Sequence, residues 1–310
     1  MKKLIFILLL CITTSAFGQL RQKPMHGLQI NKAHPLGDPV AFWPFNEGSG
    51  NIVQDSSGNN NTGAGTGTFW LAGKFGSALD FTGGGSDDKL DCGNKVGTLG
   101  ATALTQIIWI KFDTLPTGGA VQVHLMGRWG DGVVKRVIAC RIVDSTTARL
   151  LTGNGVSALD SDVTMPAISA NTWYQMAYVY NAGVGNFYLN GINCGAFAGL
   201  HTVLAASSSV NYTIGVDADG FGDLDGQVDN ALVYNRALTS TEIAQLYREP
   251  FCMFEGDLTV AQMYDYSGAP PAPSSQFIMI QMTAIPLSVI ILIAISPVFR
   301  KWKSKYSMMT

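Results

Sequence analysis

Between residues 39 and 247, hydrophobic residues come in short bursts broken by glycine, and no long stretch keeps a helical period. The bursts at residues 40–45, 77–81, 104–112, 120–129, 133–143, 173–180, 185–189 and 212–216 contain many Val, Ile, Phe, Tyr and Trp residues, and Gly, Asn, Asp or Ser bounds many of them. β-Branched and aromatic side chains suit a pleated surface, and the flanking residues suit turns, so each burst predicts a strand. Residues 173–180 carry bulk on both faces, which predicts a strand covered on both sides. A turn is expected at residues 181–185, and Asn190-Gly191 is the strongest hairpin signal, because both types tolerate the positive φ that a tight two-residue turn needs. One helix is predicted after the last strand at 227–234. Thr239 and Glu242 form a capping box, Ile243, Leu246 and Tyr247 follow at helical spacing, and Pro250 stops it. Many strands with a single late helix predict an all-β fold, a two-sheet antiparallel jelly-roll sandwich, rather than a βαβ unit.

The two ends read differently. Lys2 and Lys3, a short apolar run at 4–12 and Ala16-Phe17-Gly18 predict a signal peptide over residues 1–18. That run is too short to span a bilayer. Residues 19–38 read as a polar, flexible arm, residues 39–252 as the sandwich, and the Pro-rich stretch 253–275 as a semi-rigid spacer. No charge occurs from Tyr266 to Phe299, and Arg300, Lys301, Lys303 and Lys305 follow at once. This pattern predicts a transmembrane helix at 276–299 and a basic cytoplasmic tail at 300–310, with the sandwich outside the cell. An envelope-sorting tail clipped on export is the alternative, although Pro271-Ala272-Pro273 stands where a Pro-Glu-Pro signal would be.

Charge narrows the partners. Six of the 20 basic residues sit in the two end segments, and all 22 acidic residues lie between them. The body is therefore acidic and lacks the basic footprint of nucleic-acid binding.

Several segments, in order, resemble the laminin-G-like family of concanavalin A-type sandwiches. They include Ala41-Phe42-Trp43-Pro44-Phe45-Asn46-Glu47-Gly48, Asp55-Ser56-Ser57-Gly58-Asn59, Gly73-Lys74-Phe75-Gly76-Ser77-Ala78-Leu79-Asp80-Phe81, Asn171-Thr172-Trp173-Tyr174, and Gln227-Val228-Asp229-Asn230-Ala231-Leu232-Val233-Tyr234-Asn235-Arg236-Ala237-Leu238 before the capped helix. The resemblance covers most of residues 39–248 and implies a jelly-roll of two sheets. Members serve in adhesion, in carbohydrate binding and as accessory modules of secreted enzymes, and similar domains occur in phage structural proteins. The fold alone therefore does not choose a function.

The resemblance also suggests a calcium site near the Asp55 loop and the Asp229 strand. Asp55, Asn59, Asn61, Asp229 and Glu47 are oxygen-bearing residues of the types calcium takes. Ordinary turn chemistry uses the same residues. Asp217-Ala218-Asp219-Gly220 and Asp223-Leu224-Asp225-Gly226 lack EF-hand spacing and read as turns. Trp129, in a glycine-rich strand end, is the candidate for an exposed sugar-stacking ring. Trp70 and Tyr212 are further ligand candidates, and core packing competes for both.

Catalytic patterns are missing. The Glu-x-Asp-x-x-Glu strand of related glycoside hydrolases begins at Glu255-Gly256-Asp257 but meets Val260 where the second Glu belongs. The histidines His26, His34, His124 and His201 are scattered, and no Gly-x-Ser-x-Gly elbow occurs. Cys92, Cys140, Cys194 and Cys252 allow three disulfide connectivities; Cys140–Cys194 is the expected pair, with buried thiols as the alternative. The expectation is an exported, membrane-anchored module that binds a glycan or a surface protein and is not an enzyme. A structural adhesion protein and an accessory domain of a hydrolase system are the rivals.

Overall fold

A computed structural model of the chain describes residues 23–24, 30–83, 88–119 and 121–254. The predicted signal peptide, the predicted span at 276–299 and the basic tail lie outside the described residues, as does the spacer beyond Phe254. Among the described residues no helix is long and apolar enough to cross a membrane.

Strands run in chain order as β1 (Ala41–Trp43), β2 (Ile52–Val53), β3 (Gly63–Thr66), β4 (Phe69–Gly73), β5 (Gly76–Thr82), β6 (Lys89–Asp91), β7 (Ala103–Phe112), β8 (Val123–Arg128), β9 (Ile138–Asp144), β10 (Thr147–Gly153), β11 (Ala158–Thr164), β12 (Trp173–Asn181), β13 (Val184–Leu189), β14 (Ile192–Phe197), β15 (Thr213–Ile214) and β16 (Asp225–Tyr234). They form two antiparallel sheets. The first has the order β14-β13-β12-β7-β16-β5-β4, with β1 also on β16; the second has the order β11-β10-β9-β8-β15-β6-β3-β2. This is the predicted two-sheet sandwich.

The inner faces make the main core. Leu79, Phe81, Ile108, Ile110, Phe112, Met176 and Tyr178 of the first sheet meet Leu125, Ile138, Cys140, Ile142 and Leu150 of the second. A second core covers the outer face of the first sheet. Ile107, Ala177, Val179, Leu232 and Tyr234 pack there against Leu238, Ile243 and Leu246, with Phe251, Met253 and Phe254 beside them. Helix α1 (Ser240–Arg248) carries Ile243 and Leu246 and begins with the predicted capping box at Thr239 and Glu242. This cover explains why β7, β12 and β16 are apolar on both faces: a strand between two cores has no solvent side. Trp109 illustrates it, facing outward yet stacked on Tyr247 of α1 at 5.6 Å.

The arm is shorter than the sequence suggests. Ile30 and Leu36 are buried in this second core, and the Asn31 amide donates to Met253 O at 3.0 Å. Residues 30–38 therefore belong to the fold, as do Met253 and Phe254, which the spacer assignment had excluded. The apolar side chains at 30 and 36 outweigh the polar residues around them. The hairpin at Asn190-Gly191 forms as expected, with φ of 50° and 78°.

Candidate functional site

Alternation along β9, β10 and β11 sets up a polar outer face on the second sheet. Cys140, Ile142, Ala148 and Leu150 point inward, so Arg141, Arg149 and Leu151 point outward. Cross-strand register then lines up Arg141, Arg149 and Asp162 in one row and Ala139, Leu151 and Asp160 in the next. The Arg149–Asp162 pair is bidentate, at 2.6 and 2.7 Å.

Two loops wall this face into a cleft of about 460 Å³, lined by Trp129, Asp131, Arg136, Arg141, Leu151, Ala158, Asp217, Asp219, Gly220 and Phe221. One wall is the loop after β15. Asp217 Oδ1 accepts from the amides of Asp219 at 3.1 Å and Phe221 at 2.9 Å, which makes the turn expected of Asp217-Ala218-Asp219-Gly220. Its second oxygen accepts from Arg141 Nη2 at 2.8 Å, and both side chains are almost wholly buried. Burial raises the Asp217 carboxyl above its ordinary value, while the two amides and Arg141 hold it back. The Arg141 guanidinium lies 4.7 Å from the Phe221 ring centre.

The opposite wall is the loop after β8, joined to the first by Asp219. That carboxylate accepts from Lys135 Nζ and from the Asp131 amide, and the Lys135 hydrogen bond holds it below its ordinary value. The Ala218 amide donates to Trp129 O at 3.0 Å. Trp129 is consequently 5% exposed, and the Arg136 guanidinium covers its ring at 5.8 Å. The expectation of an open ring is thus corrected: Trp129 is in the cleft wall, but an arginine caps it. Arg136 is loosely held, with Asp131 3.8 Å away and its Nε buried without a partner among the described residues.

The other sequence candidates fall elsewhere. Tyr212 is fully buried, stacks on Trp43 at 6.0 Å and donates its hydroxyl to Gln106, so it is a core residue. Trp70 lies half-buried on edge strand β4, with Nε1 donating to Gly50 O at 2.7 Å. The expected Cys140–Cys194 bridge is not formed. Cys140 points into the inter-sheet core, where Gln106 Nε2 donates to its sulfur at 3.0 Å, whereas Cys194 is on β14 at the edge of the other sheet.

The oxygen-bearing set near Asp55 divides into two groups. Asp55 accepts from the amides of Phe42 (3.0 Å), Ser57 (2.9 Å) and Asn61 (2.8 Å) and from Ser57 Oγ (2.8 Å). Asn59 and Asn61 turn their NH₂ groups, not their oxygens, toward Val40 O, at 3.1 and 2.7 Å. This turn pins β1 through Asp55 and the two asparagine NH₂ groups, and leaves Asn61 Oδ1 buried without a partner among the described residues. Glu47 accepts from the Gln54 amide at 2.8 Å, and Asp229 is ion-paired with Lys23 at 2.6 Å. Among the described residues no cluster of three or more His, Cys, Asp or Glu is placed to hold a metal ion.

The family model described as the concanavalin A-like lectin/glucanases superfamily, Laminin_G_3, matches residues 82–244, over half of the chain. The chain belongs to this family. No curated protein matches it. Among solved structures, this laminin-G-like domain is similar to domain 4 of AbnA, a GH43 extracellular arabinanase from Geobacillus stearothermophilus, in complex with arabinotriose. Identity is 19% and the TM-score 0.54, over 68% of this chain and 98% of that one. It is also similar to the binding domain of Paraclostridial Mosquitocidal Protein 1, at 14% identity and TM-score 0.54, over 68% of this chain and 52% of that one. A Trypanosoma rangeli sialidase mutant displaying trans-sialidase activity matches at 18% identity and TM-score 0.52, over 71% of this chain and 34% of that one. The chain thus spans nearly all of the arabinanase domain, about half of the second structure and about a third of the sialidase. At these identities the likeness shows a shared fold.

The sequence had flagged only Trp129 among the cleft residues as a ligand contact. Arg136 and Phe221 carried no signal, and that of Arg141 was only an arginine alternating with apolar residues in the strand at 138–144.

Proposed function

We propose that this laminin-G-like domain is a glycan-binding module, exported and held at the cell surface by the apolar segment at 276–299, and that it works by contact rather than turnover. The observation that carries this reading is the cleft on the outer face of the second sheet. It combines aromatic walls, arginine donors and carboxylate acceptors in one concave site. Its charges are mixed, Arg136 and Arg141 against Asp131, Asp217 and Asp219, so it offers no field of one sign for a polyanion. Sugar hydroxyls both donate and accept, which suits such a lining. A neutral oligosaccharide is the expected ligand class, and arabino-oligosaccharides are the first probes, because the similar arabinanase domain was captured with arabinotriose.

Binding without turnover is supported by the state of the carboxylates. Glycoside hydrolysis uses two carboxyl groups, one protonating and one attacking or activating water. In the cleft, Asp217 is committed to Arg141 and two loop amides, and Asp219 to Lys135 and the Asp131 amide.

The test is a glycan array, probed with the full chain and with Asp131→Ala and Arg136→Ala, both changes at side chains with solvent access. Retention of a neutral glycan by the wild type, weakened in both variants, supports the reading. Retention that neither variant alters moves the site elsewhere, and a matching hydrolysis assay that releases sugar would overturn the claim of contact without turnover. One observation favours protein contact as a second reading. Edge strand β4 leaves Phe69 60% and Leu71 47% exposed, and an open apolar edge is a template for strand addition. Capture of protein partners by a chain that binds no glycan would favour it.

A further inference from the structure

The segment before the first strand places a lysine where an inorganic cation would be at home. Lys23 Nζ lies 2.6 Å from Asp229 Oδ1 and 2.9 Å from Phe45 O, and it also donates to Ser77 O. The side chain is 7% exposed and that of Asp229 is fully buried. Glu47 adds a second negative charge to the surroundings of the ammonium, and its Oε2 is buried without a partner among the described residues. Two carbonyls and one carboxylate oxygen around the ammonium make an all-oxygen donor set, the kind that hard cations take.

The backbone is bent to build this cage. Phe45 has φ of 53°, a left-handed conformation that a bulky residue seldom adopts, and its carbonyl also accepts from Ser77 Oγ at 2.8 Å. A register shift between Asp229 and Ala231 interrupts the pairing of β16 with β7, with Asn230 at φ 64°. Such a bulge re-aims a side chain. Here Asp229 keeps Oδ2 for the Phe75 amide at 2.8 Å and gives Oδ1 to Lys23. Gly73 lies beside it, and a Cβ there would come within 2.6 Å of Asp229 Oδ2. Pro24 O accepts from Asn46 Nδ2 at 2.8 Å, so the residue after the lysine is pinned as well. Strain at two non-glycine residues around one buried charge marks a built site rather than a chance contact.

We propose that Lys23 is a tethered cation: its ammonium occupies an oxygen cage otherwise fit for a divalent metal, and by doing so it fastens the N-terminal arm to the sandwich. The expected calcium ion and the arm then compete for the same donors, Asp229 with the carbonyls of Phe45 and Ser77. A chain whose own lysine fills the cage folds without added metal. Burial pulls the ammonium below its ordinary value, and Asp229 and Glu47 oppose that pull.

The experiment is a set of thermal melts of the full chain in a chelator and in millimolar calcium, for the wild type, Lys23→Ala and Lys23→Met. Lys23→Met keeps most of the length of the side chain and removes the charge. Lys23 lies outside the strands, so both variants retain the sandwich. The wild type is expected to melt at one temperature in both buffers. Both variants are expected to melt about 5 °C or more lower in the chelator and to recover most of that loss in calcium. A wild type that gains several degrees from calcium, with variants that equal it in the chelator, would overturn the proposal, because the metal and not the lysine would be the resident cation. Variants that fall and are not rescued by calcium would overturn it too, since the cage would then be no cation site. The glycan reading is independent of either result.

Discussion

Replacing Asp217 by Asn probes the wall of the cleft most sharply. The change is nearly isosteric and leaves Oδ1 to accept from the Asp219 and Phe221 amides, so the turn itself survives. What it removes is the charge facing Arg141 at 2.8 Å. At an effective dielectric of about 20, two unit charges at that distance attract by roughly 6 kcal/mol. Desolvating both ions offsets much of this, so the pair adds little compared with an apolar filling. Breaking it is a different matter, because a guanidinium with a side chain 8% exposed is left uncompensated. The expected loss is about 3–5 kcal/mol of folding stability. Urea denaturation followed by tryptophan fluorescence reads it directly, and adding Arg141→Met to Asp217→Asn, which removes the uncompensated charge and keeps the turn, should recover most of it. A loss under about 1 kcal/mol for Asp217→Asn would refute the argument, since Arg141 would then be reaching solvent.

Three further outcomes are expected. His124 is fully buried with its pKa lowered to about 3, mainly by desolvation and then by Arg141. The unfolded chain therefore binds the proton more readily: the stability is fully present above pH 6.5 and is lost as pH falls toward 3, with a slope of up to ~1.4 kcal/mol per pH unit. A denaturation series across that window tests it, and His124→Leu should flatten the curve. Thr239→Ala removes the capping box of α1 and should cost about 1 kcal/mol by thermal melting. Gly191→Ala forces a side chain onto φ 78° and to within 3.0 Å of Tyr247, so it should lower stability by about 1–2 kcal/mol.

The sequence made the first sheet far more legible than the second. Strands β7, β12 and β16 lie between two cores, so their apolar runs are long, and the hairpin at Asn190-Gly191 and the cap at Thr239 announce themselves chemically. Strands β10 and β11 had no such signal. Their outer positions hold Arg149, Asp160 and Asp162, and these charges dilute the hydrophobic pattern. That same polar face lines the cleft, so the features that make the candidate site hid its strands. Asp217 was legible as a turn, which it is, but its second oxygen reaches Arg141, 76 residues earlier. Lys23 was hidden for a related reason: its partners Phe45 O and Ser77 O are backbone atoms, which no residue pattern encodes. Trp129 shows the converse. An aromatic beside a glycine-rich strand end looks exposed until the loop folds back, and here Asp219 draws the β8 loop closed over Trp129.

The central claim is that the cleft beside Trp129 holds a neutral glycan. Calorimetric titration of the full chain with arabinotriose and with a panel of other neutral oligosaccharides tests it most directly, with Arg136→Ala run in parallel. Saturable heat from at least one neutral sugar, reduced severalfold in the variant, is the predicted result. Heat that is identical in both proteins, or none from any sugar in the panel, would contradict it.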